Sequence, residues 1–211
     1  MYTPPWFAEE DKKTLVSFMR EYPFASLISY AEDGPIASHL PLEFLADERE
    51  EHGVLVGHVA RQNPHWRSFK SKNESLIIFS GPHEYISPSW YKSKSLVPTW
   101  NYAAVHAYGH IEVIEEEQRV RDILNLLIDR FESPRAEPWV NELDPDFMQK
   151  LQSSIVAFSF SINRLQGKFK LSQNRSQEDQ RASLHGLLKE PSKPKETLAA
   201  FWQKRLEEHD L

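Results

Sequence analysis

Nine histidines and no cysteine set the chemistry that this chain can host. Without cysteine there is no disulfide framework, no thiolate metal site and no cysteine nucleophile, a composition that suits a reducing compartment. His106 and His110 have the four-residue spacing of a zinc-binding helix pair, but position 107 is alanine where the H-E-x-x-H motif requires glutamate. Their segment also reads as a strand, in which four residues span about 13 Å, whereas two nitrogens on one zinc lie within about 4.2 Å of each other. They cannot share a metal. No serine sits in a G-x-S-x-G turn, and the seven glycines form neither G-x-G-x-x-G nor G-x-x-x-x-G-K-[ST]. The signatures of α/β-hydrolases, dinucleotide-type Rossmann domains and P-loop enzymes are therefore missing. No residue stands out as a general acid, base or nucleophile.

The residues that remain suit binding rather than bond-breaking. Over positions 96–113 the odd residues from Val97 are Val, Thr, Asn, Ala, Val, Ala, Gly, Ile and Val, while the even ones from Trp100 to His110 are Trp, Tyr, Ala, His, Tyr and His. A strand of this pattern has one small, apolar face and one aromatic, polar face. Lys, Glu and Thr would suffice on a face that met only water. Trp100, Tyr102, His106 and Tyr108 instead predict a wall over a planar ligand, a partner subunit, or both. Arg61, Lys92, Lys94, Lys168 and Lys170 are candidate anion contacts flanking that wall. Asn63 followed by Pro64 reads as a helix cap and first helical residue, with His58 and Arg61 close by, an arrangement suited to a phosphate. Ser38, His39, Leu40 and Pro41 lie where proline interrupts a strand ladder, which predicts an edge or bulge with backbone groups free for a ligand. An aromatic wall with distributed cations is what a flat, phosphate-bearing cofactor requires.

The elements that must position these residues follow in order. Residues 1–7 read as a proline-stiffened arm, and 8–22 as an amphipathic helix carrying Leu15, Val16, Phe18 and Met19 on one side. Runs 24–31 and 36–45 flank Glu32-Asp33-Gly34-Pro35 and predict a hairpin. A strand is expected over 54–59, and two short ones over 75–80 and 83–87 around Gly81-Pro82. Val120, Ile123, Leu124, Leu127, Ile128 and Phe131 mark a helix from about 116 to 132. A short helix starts near Asp144-Pro145, a strand covers 154–163 with Val156, Phe158, Phe160 and Ile162 toward a core, and a helix follows Ser176. Pro191 to Pro194 reads as a linker before a final amphipathic helix carrying Leu198, Phe201, Trp202 and Leu206.

The whole is 211 residues with a net charge of -6, enough to bury roughly 70% of the unfolded surface. No stretch approaches the ~20 apolar residues of a membrane span, and no leader pattern opens the chain, so cytoplasmic residence is expected. Acidic balance gives no global pull toward nucleic acid; the one positive island, five basic against two acidic residues over 164–181, would be the footprint of any DNA contact.

Four blocks, S-H-L-P at 38–41, G-H-V-A-R-Q-N-P-H-W at 57–66, V-P-T-W-N-Y at 97–102 and G-K-F-K-L-S-Q-N-R-S at 167–176, resemble the PaiB family of FMN-binding negative transcriptional regulators in order and spacing. The resemblance implies an α+β, mainly β fold: an FMN-binding split β-barrel with peripheral helices, over 1–190, followed by a linker and packed helix over 191–211. It implies FMN as cofactor, a homodimer with flavin sites at the subunit interface, and a role in lowering protease production and restraining sporulation. By the same resemblance Ser38, His39, Leu40 and Pro41 would lie beside the flavin ring, Arg61 to Asn63 near its phosphate, and Trp100, Asn101 and Tyr102 near the ring or the dimer seam. Two alternatives are a repressor that binds DNA directly and a flavin- or haem-linked oxidoreductase of the same barrel class; in either flavin case the cofactor carries the redox chemistry.

Overall fold

A computed structural model describes residues 1–70, 73–94, 96–141, 143–189 and 193–209. In chain order the elements are β1 (Ala8–Glu9), α1 (Lys12–Glu21), β2 (Phe24–Ala31), β3 (Gly34–Pro41), β4 (Glu43–Asp47), β5 (Glu50–Ala60), β6 (Ser75–Ile86), β7 (Thr99–Ile114), α2 (Glu117–Glu132), α3 (Pro145–Ser153), β8 (Ile155–Lys170), α4 (Gln177–Lys189) and α5 (Lys193–His209). The strands form one open, mostly antiparallel sheet in the order β3-β2-β6-β7-β8-β5-β4, with β1 paired to β8. Long β-rich strands with helices outside the sheet give the mainly β, split-barrel architecture that the sequence suggests, but the sheet does not close. The backbone divides into two compact units, one made of 16–79 and 106–165, the other of 1–15, 80–105 and 166–211, and β6, β7 and β8 each contribute to both.

In the first unit β2 and β3 form the hairpin expected across Gly34, whose φ of 119° only glycine adopts freely. The run expected as one strand over 36–45 is two strands. Pro41 cannot donate, Leu42 N–H instead bonds the Pro23 carbonyl at 3.0 Å, and the chain then changes partner, β4 pairing with β5. The α2 stripe covers a small core in which Ile123 and Leu127 meet Val56, Ile114 and Ala157. Glu43, 7% exposed, receives Arg20 at 3.7 Å and Arg130 at 3.3 Å, so a buried carboxylate ties α1 and α2 to β4. β7 and β8 approach very closely here: a Cβ on Gly109 would lie 1.9 Å from the Ser161 carbonyl oxygen.

In the second unit, Ala8 and Glu9 pair with Lys168 and Gly167. These two residues are strand, so α1 starts at Lys12 instead of residue 8; a Cβ at Gly167 would fall 2.7 Å from the Glu9 carbonyl, and glycine is what lets β1 close. α4 and α5 bury Leu184, Leu187, Leu198 and Trp202, and Phe201 meets Phe169 edge-on at 5.3 Å.

Three other expectations are corrected. β6 is one continuous strand through Gly81-Pro82, because neither residue takes a positive φ and proline's fixed φ fits extended backbone. β8 runs on to Lys170, past the expected end at 163. The expected linker falls partly on Pro191 and Ser192, outside the described residues, while Lys193 and Pro194 already belong to the first turn of α5, where proline's missing N–H costs nothing.

The Gly109 contact generates a direct test. Gly109→Ala should lower the thermal midpoint by at least about 2 °C through overpacking against Ser161, on the order of 1–3 kcal/mol; differential scanning calorimetry showing an unchanged midpoint would mean that β7 and β8 do not approach as described.

Candidate functional site

The predicted residues gather into two groups, one in each unit. In the unit of 16–79 and 106–165, β3 alternates so that Ser38 and Leu40 face inward and His39 outward. Ser38 Oγ accepts from Asn63 Nδ2 at 2.9 Å and lies 2.8 Å from His65 Nδ1. The asparagine amide takes one of the two acceptor sites of this oxygen, and the Ser38–His65 bond runs in either direction according to which nitrogen carries the neutral ring's proton. Burial pushes the His65 pKa below 6.5, in agreement with the neutral form. His65 is 0% exposed, its Nε2 meets no partner, and its ring packs edge-on against Phe69 at 5.4 Å.

Asn63 is also the expected cap, its Oδ1 accepting from His65 N–H at 3.0 Å. The helix it caps is a five-residue 3-10 turn, Pro64–Ser68, too short to concentrate N–H dipoles for an anion. Arg61 is held by its own fold, Nε donating to the Ser153 carbonyl at 2.7 Å and Nη2 to that of Ile155 at 2.8 Å. His58 is half-buried with an unpartnered Nδ1, and burial lowers its pKa. On β7, His106 Nδ1 lies 3.4 Å from the Tyr108 hydroxyl, and the Arg164 guanidinium covers the Tyr108 ring at 3.7 Å.

In the other unit, Trp100, Asn101, Tyr102, Lys168 and Lys170 come together. Trp100 is 53% exposed, with the Tyr85 ring 6.2 Å away edge-on and the His83 ring 6.4 Å away. Lys168 is only 8% exposed; its ammonium donates to the Tyr2 carbonyl at 3.0 Å and lies 5.2 Å from the centre of Tyr102 and 5.6 Å from that of Tyr2. Lys170 donates to the Thr99 hydroxyl and the Trp100 carbonyl. Among the described residues no carboxylate pairs with either lysine. Burial first, then the charges of Lys168 and Arg175, push the Lys170 pKa down. Three cations share this corner with no acid paired to the lysines among the described residues, and an anion would relieve their repulsion.

Asn101, fully buried, donates to Ser172 Oγ at 3.1 Å. Ser172 has a φ of 67°, the one non-glycine positive φ among the described residues, and opens a turn in which Arg175 N–H bonds its carbonyl at 2.9 Å. A strained turn of this kind holds its neighbours in one geometry. Lys92 and Lys94 are exposed. Their loop is fixed through Asp179, which accepts from the backbone N–H groups of Lys92 and Ser93 and from the Ser93 hydroxyl, holding its carboxyl at about 2.

Sequence reasoning missed His65, Tyr2, Thr99 and Ser172. His65 carried a usable signal, since an Asn-Pro cap directs its oxygen at the N–H two residues on. Tyr2 and Thr99 carried none, because only tertiary pairing brings them to the lysines.

An open, mostly antiparallel sheet with outer helices and an aromatic, cationic face defines a split-barrel protein, and solved structures agree. The fold matches a flavocytochrome, Anf3, of Azotobacter vinelandii (TM-score 0.60, 16% identity, 84% of this chain and 75% of that one) and an FAD- and heme-binding protein of Mycobacterium smegmatis (TM-score 0.59, 16% identity, 83% and 78%). Residues 1–164 match the family model described as "Putative FMN-binding domain". The protease synthase and sporulation protein PAI 2 of Bacillus subtilis is 34% identical over 98% of both chains, and an uncharacterized protein of Emericella nidulans is 29% identical over 88% of this chain and 90% of that one. The chain belongs to this FMN-binding family of split barrels and resembles the protease synthase and sporulation protein PAI 2 over 98% of its length.

The buried histidines predict a pH response. His58, His65 and His106 all have pKa values below the usual 6.5 because burial disfavours the charged ring. The unfolded chain therefore binds more protons between the folded values and 6.5, and stability is full above 6.5 and falls as pH drops below it. Urea midpoints should fall from pH 7.5 to pH 5.5, and His65→Gln, which keeps an acceptor for Ser38, should flatten that dependence; an unaltered slope in the variant would contradict a neutral buried His65.

Proposed function

We propose that FMN is held on the wall formed by Trp100, Tyr102, Lys168 and Lys170, and that the protein acts as a homodimeric, cytoplasmic regulator in the manner of its PAI 2 relative. The observation that carries this reading is buried Lys168 and half-buried Lys170, neither paired with an acid among the described residues, beside an exposed tryptophan. A ring system needs an aromatic face, and a phosphate needs cations whose charge is not already spent. Both requirements are met by side chains of one unit, so the residues fit the cofactor. The lysines bind and orient the phosphate; Trp100 and Tyr102 cover apolar ring surface and exclude water. Flavin, when bound, supplies hydride and one-electron chemistry itself.

Self-association is supported by Tyr85, Val97 and Trp100, which are 40%, 64% and 53% exposed along adjoining parts of the chain. Large apolar side chains left open beside a cofactor wall are suited to a second copy. Direct DNA binding is the weaker reading. Of the basic island, Arg164 is engaged by Tyr108 and Glu74, Lys168 and Lys170 belong to the corner proposed for the flavin phosphate, and Arg175 lies over Tyr91 at 6.0 Å. Arg181 is left exposed without an ion pair among the described residues, and one such cation is no stripe to follow a phosphate backbone. Among the described residues no helix is long and apolar enough to cross a membrane.

Titrations of FMN and riboflavin separate phosphate from ring contributions. The protein should bind FMN more tightly than riboflavin, and Lys170→Ala should cut that preference about tenfold or more, the worth of one charge-assisted hydrogen bond, with riboflavin affinity retained. Trp100→Ala should weaken both ligands and shift sedimentation toward monomer. Equal affinity for the two flavins in the unaltered protein, or a preference untouched by Lys170→Ala, would remove the lysines from the site.

A further inference from the structure

The unit of 1–15, 80–105 and 166–211 contains a cavity of about 460 Å³ whose lining includes none of the proposed flavin-wall residues. Trp6, Phe169, Leu171, Trp202 and Leu206 form its apolar lining, and Glu9, Arg181 and Arg205 its charged one. The two-residue period of β8 separates the sites: Lys168 faces Tyr102 and Lys170 reaches Thr99, whereas Phe169, between them, packs on Phe201 and lines the cavity.

The charges in this cavity are unequal in availability. Arg205 is spent on Glu9, to which its Nη2 donates, and its guanidinium also lies 5.2 Å from the centre of Phe169. Arg181 is exposed and forms no ion pair among the described residues. The balance of Glu9, Arg205 and Arg181 is one positive charge. Trp202, 1% exposed, lends its indole to the cavity wall. Trp6, 69% exposed, is a large aromatic held at the rim with one face uncovered.

We propose that this cavity is a binding site for a small apolar monocarboxylate, separate from the flavin site. The planar fork of Arg181 takes the carboxylate, and the body of the ligand lies among Trp6, Phe169 and Leu206. A dianion is disfavoured by Glu9, which shares the lining. The size is that of an ordinary small-molecule pocket. Because the ligand would touch β1, β8, α4 and α5 together, its binding fastens the last two helices to the strand that carries Lys168 and Lys170. This inference does not rest on the flavin reading.

The test is calorimetric titration of the full chain with 4-phenylbutyrate and its uncharged analogue 4-phenylbutyramide. The carboxylate should bind, and more tightly than the amide; Arg181→Gln should weaken the carboxylate about tenfold and leave the amide unchanged. Leu206→Trp, which fills the cavity, should abolish binding while the circular dichroism spectrum stays native. Saturating FMN, or the Lys170→Ala change, should leave 4-phenylbutyrate affinity where it was. No binding of either 4-phenylbutyrate or octanoate up to about 10 mM, weaker than any useful site, would overturn the proposal. So would equal affinity in Arg181→Gln, or competitive displacement by FMN, which would make the cavity part of the flavin site.

Discussion

The Lys168 side chain sits in a place almost sealed from water, with no carboxylate beside it among the described residues. Removing an ammonium from solvent without a counter-charge is among the costlier things a fold can do. The compensation here is assembled from weak partners: the Tyr2 carbonyl and the faces of Tyr2 and Tyr102. Those partners come from the chain's first residues and from β7, so holding this one charge fixes the N-terminal arm and the aromatic strand together. The terminal amine adds to the same arrangement by donating to Gln166 Oε1 at 2.7 Å. A second ammonium, Lys170, and the nearby Arg175 raise the local cost further, which is why the corner is better balanced with an anion than without one.

Around that corner the strand period does most of the sorting. On β7, Asn101, Ala103, Val105, Ala107 and Gly109 are buried while Trp100, Tyr102, His106 and Tyr108 keep some surface, so a single strand serves both core and wall. On β8 the same alternation puts Phe169 into one environment and its two lysine neighbours into another. Small residues on the buried side of β7 are a physical requirement, since at Gly109 even a methyl group would collide with the Ser161 carbonyl. The turn after β8 then reverses at Ser172, whose unusual φ is locked by Asn101 from β7.

Much of this was legible in the residue pattern. The two faces of β7, the α2 stripe, the Phe158 and Phe160 core and the Asn63 cap all follow from periodicity and local chemistry, because each depends on neighbours within a few positions. The four sequence blocks pointed to the split barrel and to FMN. Long-range pairing was not legible. Arg61 looks like an anion contact in sequence, yet its guanidinium is occupied by the carbonyls of Ser153 and Ile155, more than ninety residues on by the numbering. Ser38 reads as one residue of an edge strand, and only the fold reveals His65 at its hydroxyl. Proline and glycine misled where φ stayed negative: Gly81-Pro82 resembles a turn but lies inside β6.

The central claim is that the Lys168 and Lys170 corner receives the phosphate of FMN, and phosphorus NMR of the bound cofactor reports on it most directly. A free phosphomonoester has a second pKa of about 6, and two adjacent ammonium groups favour the dianion and lower that value. The account predicts a 31P shift of bound FMN that stays at its dianionic position from pH 8 down to pH 5. A bound resonance that titrates with a midpoint near 6, as free FMN does, would contradict it.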